Sequence, residues 1–265
     1  MKLKRTAFAL ILCIFALSGC VAGKETDSVI QAEAQGNSTR KKVEIVTTKE
    51  AIVNTETTYL DYDGGSGISW IATAVSEPVE GTIETTYKMT ISADGEVLEK
   101  EKLAGKRKVT PAKPAVMQFG GSVSVGSEFF PRTTTYGVDC IGCSGQYSGV
   151  GGTAAGVKLS VSQGVLQPNG TWQSGIKYGD YYIVAADRSI PIGTVLEISN
   201  HGYNGFGLVS GQPFYAMVLD RGGGIWENHL DLYAGSEKSG GLHIDYSVHQ
   251  PKAKIVSLGS GVKPF

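Results

Sequence analysis

Three aspartates in the last third of the chain are the residues best suited to acid–base chemistry. Asp187 lies in A-A-D-R-S-I-P-I-G-T (185–194) and Asp220 in L-D-R-G-G-G-I (219–225). Asp231 follows eleven residues after Asp220, in N-H-L-D-L-Y (228–233). Each is flanked by apolar residues that read as strand. A carboxylate on or beside a buried strand is costly unless it is paired, hydrogen-bonded or protonated, so three of them in one small domain point to a site. The same pattern also suits three turn or cap aspartates that accept backbone N–H groups. For a general acid, the side chain must be protonated at rest. Apolar Leu230 and Leu232 beside Asp231, and a second carboxylate nearby, would both raise its pKa. Asp220 is the candidate for that neighbour. Gly222, Gly223 and Gly224 directly after it permit positive φ and close approach of a bulky chain, and they equally suit a tight turn.

The elements that must position these groups are short strands. Residues 181–185, 194–198, 214–219, 230–233 and 252–258 have strand content, separated by glycine turns. The chain has 36 glycines in 265 residues, and no long helical periodicity. A mainly β chain of two small domains follows, the second a small closed barrel. Upstream, 43–46 and 52–60 read as strands, and 85–91 alternates. Asp94-Gly95 between that run and 96–102 is a hairpin signal. Formal charge is nearly balanced, at −1, which argues against nucleic acid as a partner.

The amino terminus reads as a targeting segment. Lys2, Lys4 and Arg5 precede an apolar run over 7–17 that is too short for a permanent membrane span. Of four cysteines, Cys13 and Cys20 fall at this end. Cys140 and Cys143 form a C-x-x-C pair that an oxidising compartment favours as a disulfide, with free thiols or a metal site as the alternatives. Zinc would need two more ligands, and the histidines are all far downstream without metal-ligand spacing. No metal and no cofactor are expected.

The aspartate motifs resemble the 3D (three-aspartate) domain of bacterial cell-wall proteins. That family reads roughly A-V-D-P-x-x-I-P-L-G-T and then D-T-G-G-A-I-K-G-N-R-I-D-L-Y. The matches are Ala186, Asp187, Ile190, Pro191, Gly193 and Thr194, then Asp220, Gly222, Gly223, Ile225, Asn228, Asp231, Leu232 and Tyr233. Upstream, Tyr136, Cys140, Gly142, Cys143 and Gly145, then Thr153, Ala154 and Gly156, fit the family's T-A-Y-x-x-x-C-x-G-C-x-G and T-A-x-G. The stretch 43–121 resembles a G5 domain through Glu50, Ile52, Glu80-Gly81, Thr86-Tyr87, Asp94-Gly95 and Val97, though several family glycines are replaced. Leu17-Ser18-Gly19-Cys20 resembles a bacterial lipobox, with an ordinary secretory signal as the alternative.

These resemblances imply a layout and a chemistry. The layout is a lipoprotein signal peptide over 1–19, a flexible tether over 20–42, a G5-like β module over 43–121, a linker over 122–132, and a six-stranded double-psi β-barrel over 133–265. The protein would be exported and lipid-anchored at Cys20 on the outer face of the membrane, with peptidoglycan glycan strands as partner. Oligomeric state is left open. The implied activity is that of a lytic transglycosylase: Asp231 acts as acid and then base, and the sugar's own C6 hydroxyl closes a 1,6-anhydro ring. Asp220 would raise the pKa of Asp231 or orient that hydroxyl, and Asp187 would hold a loop or polarise a neighbour. Thr153, Gly222, Gly223, Tyr136 and Asn228 are the expected substrate contacts. Trp226, Tyr233 and Tyr147 are candidate sugar-stacking platforms or core residues. The insertion over 162–177 is a candidate for a groove wall, and a second, over 201–212, is rich in glycine. Arg221 stands where relatives carry Thr. His229 stands where they carry Arg, and it reads as a solvated turn histidine, with titration near neutral pH as the functional alternative. The competing readings are a non-catalytic wall-binding protein and a hydrolase using two carboxylates. A protease-like dyad is disfavoured, because Asp220-Arg221-Gly222 lacks the hydroxyl.

Overall fold

The computed structural model describes residues 24–29, 41–247 and 250–261. The targeting segment, with Cys13 and Cys20, lies outside them. The described residues form no helix. Their strands are β1 (Lys24–Val29), β2 (Lys42–Ile52), β3 (Thr57–Leu60), β4 (Ile68–Ser76), β5 (Gly81–Ile91), β6 (Val97–Thr110) and β7 (Ala115–Gly121). Then come β8 (Glu128–Phe129), β9 (Arg132–Tyr136), β10 (Val150–Gly152), β11 (Lys158–Ser160), β12 (Gly164–Leu166), β13 (Trp172–Gln173) and β14 (Lys177–Tyr178). The last are β15 (Tyr181–Ala185), β16 (Val195–Ser199), β17 (Tyr203–Asn204), β18 (Phe214–Asp220), β19 (His229–Tyr233), β20 (His243–Ile244) and β21 (Lys252–Ser257).

Two compact units result. The first comprises Met1–Thr57 and Glu77–Ala115, so far as these are described. It is a four-stranded antiparallel sheet in the order β1-β2-β5-β6. The Asp94-Gly95 turn joins β5 to β6 as expected: Gly95 takes φ 91°, and the Ser92 N–H donates to the Glu96 carbonyl at 2.8 Å. Among its described residues, Val46 and Thr85 are the buried side chains of this sheet besides glycine. Backbone pairing and cross-strand contacts, such as Lys100 over the Tyr87 ring at 4.1 Å, therefore carry more of its stability than a deep core does. The tether expected over 20–42 contains β1, which pairs with β2 from Lys24↔Glu50 to Val29↔Ile45. A polar segment without an apolar face can do this because the edge of β2 offers unpaired backbone groups.

The second unit, Thr58–Ser76 with Val116–Phe265, holds the large core. Its main sheet runs β3-β7-β4-β8-β21-β16-β18-β15-β19-β9, with β14 added beside β15. Two small sheets flank it, β10-β11-β12-β13 and β17-β20. The pairing order is an open path from β3 to β9 among the described residues, and no strand pairing closes the expected barrel. The linker expected over 122–132 contains β8, whose Phe129 is fully buried and which pairs with β4 and β21. Its short apolar stretch sits within Gly/Ser-rich surroundings that mask it in sequence. The central strands β15 and β18 are buried along nearly their whole length, as strands covered on both faces are. In β19 every residue is buried except Asp231, which is half-buried.

Candidate active site

Strand order brings two of the three aspartates together. β15 lies between β18, to which it is parallel, and β19, to which it is antiparallel. Ala185 pairs with Asp220 on one side and with Asp231 on the other. Asp231 pairs in turn with Thr134 of β9, which runs parallel to β19. Paired residues project to the same sheet face, so Asp220, Ala185, Asp231 and Thr134 form a row across four strands. Neighbouring strands lie about 4.8 Å apart, so the two aspartate backbones are roughly 10 Å apart across β15. The small Ala185 side chain leaves the space between them open.

A bulge makes this row possible. Val184 pairs with Val218, but the next pair is Ala185 with Asp220, leaving Leu219 unpaired. In unbroken register Ala185 would face Leu219, and Asp220 would point to the opposite side of the sheet. Leu219 is instead fully buried.

The three carboxylates are held differently. Asp220 Oδ1 accepts the Ala154 and Arg221 N–H groups, both at 2.8 Å, and Oδ2 accepts the Tyr136 hydroxyl at 2.7 Å. Burial, with Asp220 beside it, pushes the Tyr136 hydroxyl well above the usual tyrosine range. Asp231 Oδ1 accepts the Thr134 hydroxyl at 2.6 Å. Burial raises the Asp231 pKa and outweighs the Thr134 hydrogen bond and the His229 ring, while Glu237 and Asp220 push the same way as burial. Asp187 differs again. Burial works against its charge, but the N–H groups of Ser189 (2.8 Å) and Glu227 (2.9 Å) and nearby Arg221 prevail, and its pKa falls. It is a loop-holding carboxylate.

Arg221, the replacement for threonine, ties these parts together. Its guanidinium donates to the carbonyls of Ala186 at 3.0 Å, Ile190 at 2.5 Å and Asp220 at 3.3 Å. It thereby fixes the Asp187 turn against the end of β18.

A groove of about 720 Å³ opens over the row. Asp220, Asp231, Ala185, Tyr136, Thr153, Arg221, His229 and the three glycines 222–224 line it, and Asp187 is outside the lining. Its wall comes from 140–144, which contains the bonded Cys140–Cys143 pair with Cα atoms 5.2 Å apart. The insertion over 162–177 lines none of it, and instead supplies β12, β13 and β14. Residues 201–212 fold around the buried His201, whose Nε2 lies 2.6 Å from the Gln212 carbonyl.

Several expected contacts are placed elsewhere. Asn228 is outside the lining, with its amide donating to the Phe130 carbonyl at 2.8 Å. Thr153 reaches the groove, but its hydroxyl accepts the Val157 N–H at 3.1 Å and closes its own turn. Tyr233 is fully buried against Tyr136, with ring centroids 5.5 Å apart, so it is core and offers no platform. Trp226 and Tyr147 are exposed, at 61% and 96%, and neither lines the groove. Gly222, Gly223 and Gly224 do not take positive φ, and a Cβ on Gly223 or Gly224 would meet nothing within 4 Å. The small size of Gly223 and Gly224 therefore serves the open groove, while Gly222, whose Cβ would come within 2.7 Å of Ile225 Cγ1, opens a turn in which its carbonyl accepts the Ile225 N–H at 3.1 Å.

His229 is buried at 6% exposure, in place of the solvated turn residue expected. Its Nε2 lies 2.8 Å from Thr134 Oγ1, and its Nδ1 lies 2.7 Å from Arg132 Nη2. Sequence reasoning missed Thr134, Arg132 and Ala185. Only strand register relates them to Asp231, and no local pattern signals it.

Comparison with known proteins bears on the stretch that holds this site. Residues 182–252 match the model of the 3D domain, a span that contains all three aspartates. A curated protein of Aquifex aeolicus (strain VF5), the "Probable endolytic peptidoglycan transglycosylase RlpA", is 38% identical over 87 residues. The match covers 32% of this chain and 34% of that protein, so the chain spans about a third of the curated relative's length. No solved structure matches the chain.

Proposed function

We propose that this protein cleaves the glycan strands of peptidoglycan as a lytic transglycosylase, at the MurNAc–GlcNAc bond, with Asp231 as the single acid–base group. One observation carries the reading: of the three aspartates, only Asp231 is both in the groove and left with an oxygen, Oδ2, that no described residue engages. Asp220 commits both oxygens to protein donors, and Asp187 lies outside the groove with both oxygens on backbone N–H groups. A hydrolase needs a second carboxyl to activate water or attack the sugar, whereas an intramolecular attack needs one carboxyl acting twice. Asp231 gives its proton to the glycosidic oxygen as the C1–O bond breaks. The resulting carboxylate then takes the proton from the C6 hydroxyl as that oxygen bonds to C1. The raised pKa of Asp231 keeps the proton available for the first step. Similarity to the Aquifex aeolicus protein and to the 3D domain supports the choice of substrate.

The remaining parts of the reading rest on the sequence resemblances. The stretch 133–265 is of double-psi barrel type, a G5-like module lies within 43–121, of which 58–76 and 116–121 join the sheet of the second unit, and Cys20 carries a lipid anchor on an exported protein. Purified peptidoglycan incubated with the protein tests the activity. Released muropeptides lighter by one water than hydrolysis products, carrying 1,6-anhydro ends, are expected. Reducing ends would mean hydrolysis, and no products with protein pelleting alongside the wall would mean a binding protein. Loss of membrane association in Cys20→Ala tests the anchor.

A further inference from the structure

Asp231, Thr134, His229 and Arg132 form one hydrogen-bonded chain across the β9–β19 pair, in which Asp231 faces Thr134 and His229 faces Arg132. Such a chain can run in two directions. In one, Arg132 donates to Nδ1, Nε2–H donates to Thr134, and the Thr134 hydroxyl donates to Asp231 Oδ1. In the other, protonated Oδ1 donates to Thr134, Thr134 donates to Nε2, and Nδ1–H donates to the Gly224 carbonyl 3.1 Å away. A guanidinium has donors and no acceptor. With Arg132 Nη2 at 2.7 Å, the second direction sets two N–H groups against each other, whereas the first sets the Nδ1 lone pair against the Gly224 carbonyl oxygen at 3.1 Å, the longer of the two conflicts and the one without a full charge.

We infer that Arg132 is a positioning residue for Asp231: by donating to His229 it fixes the Nε2–H form of the imidazole, turns the Thr134 hydroxyl onto Oδ1, and leaves the acid's proton on Oδ2. The inference rests on Asp231 being the acid. Its consequence is that the proton is presented on the oxygen not engaged by Thr134, instead of being spent inside the network. Arg132 is at the exposed start of β9 and is not itself among the groove lining. The Tyr203 hydroxyl, donating to the Thr134 carbonyl at 3.1 Å, steadies the strand that carries the relay.

Selective 15N labelling of histidine in the full chain reads the tautomer of His229 directly, at about pH 8.5, above the ordinary histidine range. The native protein is expected to show Nε2–H. Arg132→Met should shift the ring toward Nδ1–H, and Arg132→Lys, which keeps a charged donor, should hold Nε2–H. Turnover of peptidoglycan should fall about tenfold in Arg132→Met and recover in Arg132→Lys, with wall binding unchanged; that is about 1.4 kcal/mol of barrier. A native ring in the Nδ1–H form, or a tautomer indifferent to Arg132→Met, would overturn the inference. A tautomer that shifts as stated in a chain that cleaves no wall would uphold the hydrogen-bond direction and overturn only the role of Asp231 as acid.

Discussion

Replacing Asp231 with Asn separates catalysis from stability, and the two should move in opposite directions. Asn keeps the shape of the side chain, and its Oδ1 can still accept the Thr134 hydroxyl that now sits 2.6 Å from Asp231. What is lost is the proton. A positioned acid–base group contributes roughly 10²–10⁴-fold, so cleavage should fall by at least about 100-fold, equivalent to about 2.7 kcal/mol in the barrier. Stability follows from the raised pKa. Burial makes the folded state prefer the protonated carboxyl. The stabilisation this brings is complete below the unfolded value of about 3.9 and is lost as pH rises through the folded pKa. As pH rises above the unfolded value the native protein must either keep a proton that its unfolded chain loses or hold a poorly solvated carboxylate, and Asn does neither. The midpoint of thermal unfolding of Asp231→Asn should therefore match that of the native protein at low pH and exceed it at neutral pH. The assay pairs muropeptide release with melts across that pH range. Cleavage within tenfold of native by a folded Asp231→Asn protein would refute the catalytic role. A variant less stable than native at neutral pH would refute the claim that burial dominates the environment of Asp231.

Three further perturbations probe the scaffold. Arg221→Met removes charged hydrogen bonds to three backbone carbonyls and should cost about 3 kcal/mol, counting roughly 1.5 kcal/mol for each of the two shorter ones, measured by urea unfolding. Ala185→Leu fills the space between the two aspartates; it should abolish cleavage at an overpacking cost of about 1–3 kcal/mol, seen as a folded but inactive protein in melts and turnover. Gly224→Leu should leave stability within about 0.5 kcal/mol, since its Cβ meets nothing, yet weaken co-sedimentation with the wall by obstructing the groove.

Local chemistry was legible in the sequence wherever its signal was local. The strands around Asp187, Asp220 and Asp231 follow apolar runs, and the Asp94-Gly95 hairpin follows its turn dipeptide. The separation of roles among the aspartates was not legible. Asp187 and Asp220 each sit at the end of an apolar run, but one accepts loop N–H groups outside the groove and the other lies within it. Asp187 lies in the turn beyond the end of β15, whereas Asp220 is the last residue of β18 and its face depends on which residues pair. His229 read as a solvated turn residue because a lone histidine usually is one, but it is the first residue of β19 and turns inward. Thr134 is one of three successive threonines, and only the parallel register of β9 with β19 selects it. The strand β1 was hidden for a related reason, since it is recruited by the free edge of β2 rather than by its own pattern, whereas the short apolar stretch of β8 is masked by its Gly/Ser-rich surroundings.

The unpaired Leu219 makes register, rather than residue count, the variable on which the site depends. While Leu219 is present it must stay out of the ladder: were it to pair with Ala185, Asp220 would turn to the far side of the sheet, away from Asp231 and Tyr136. Deleting it would be milder, because Asp220 would then follow Val218 directly and pair with Ala185 in unbroken register, on the same face. Relatives one residue shorter at this point would thus share the site without the bulge, and spacing alone would not separate them.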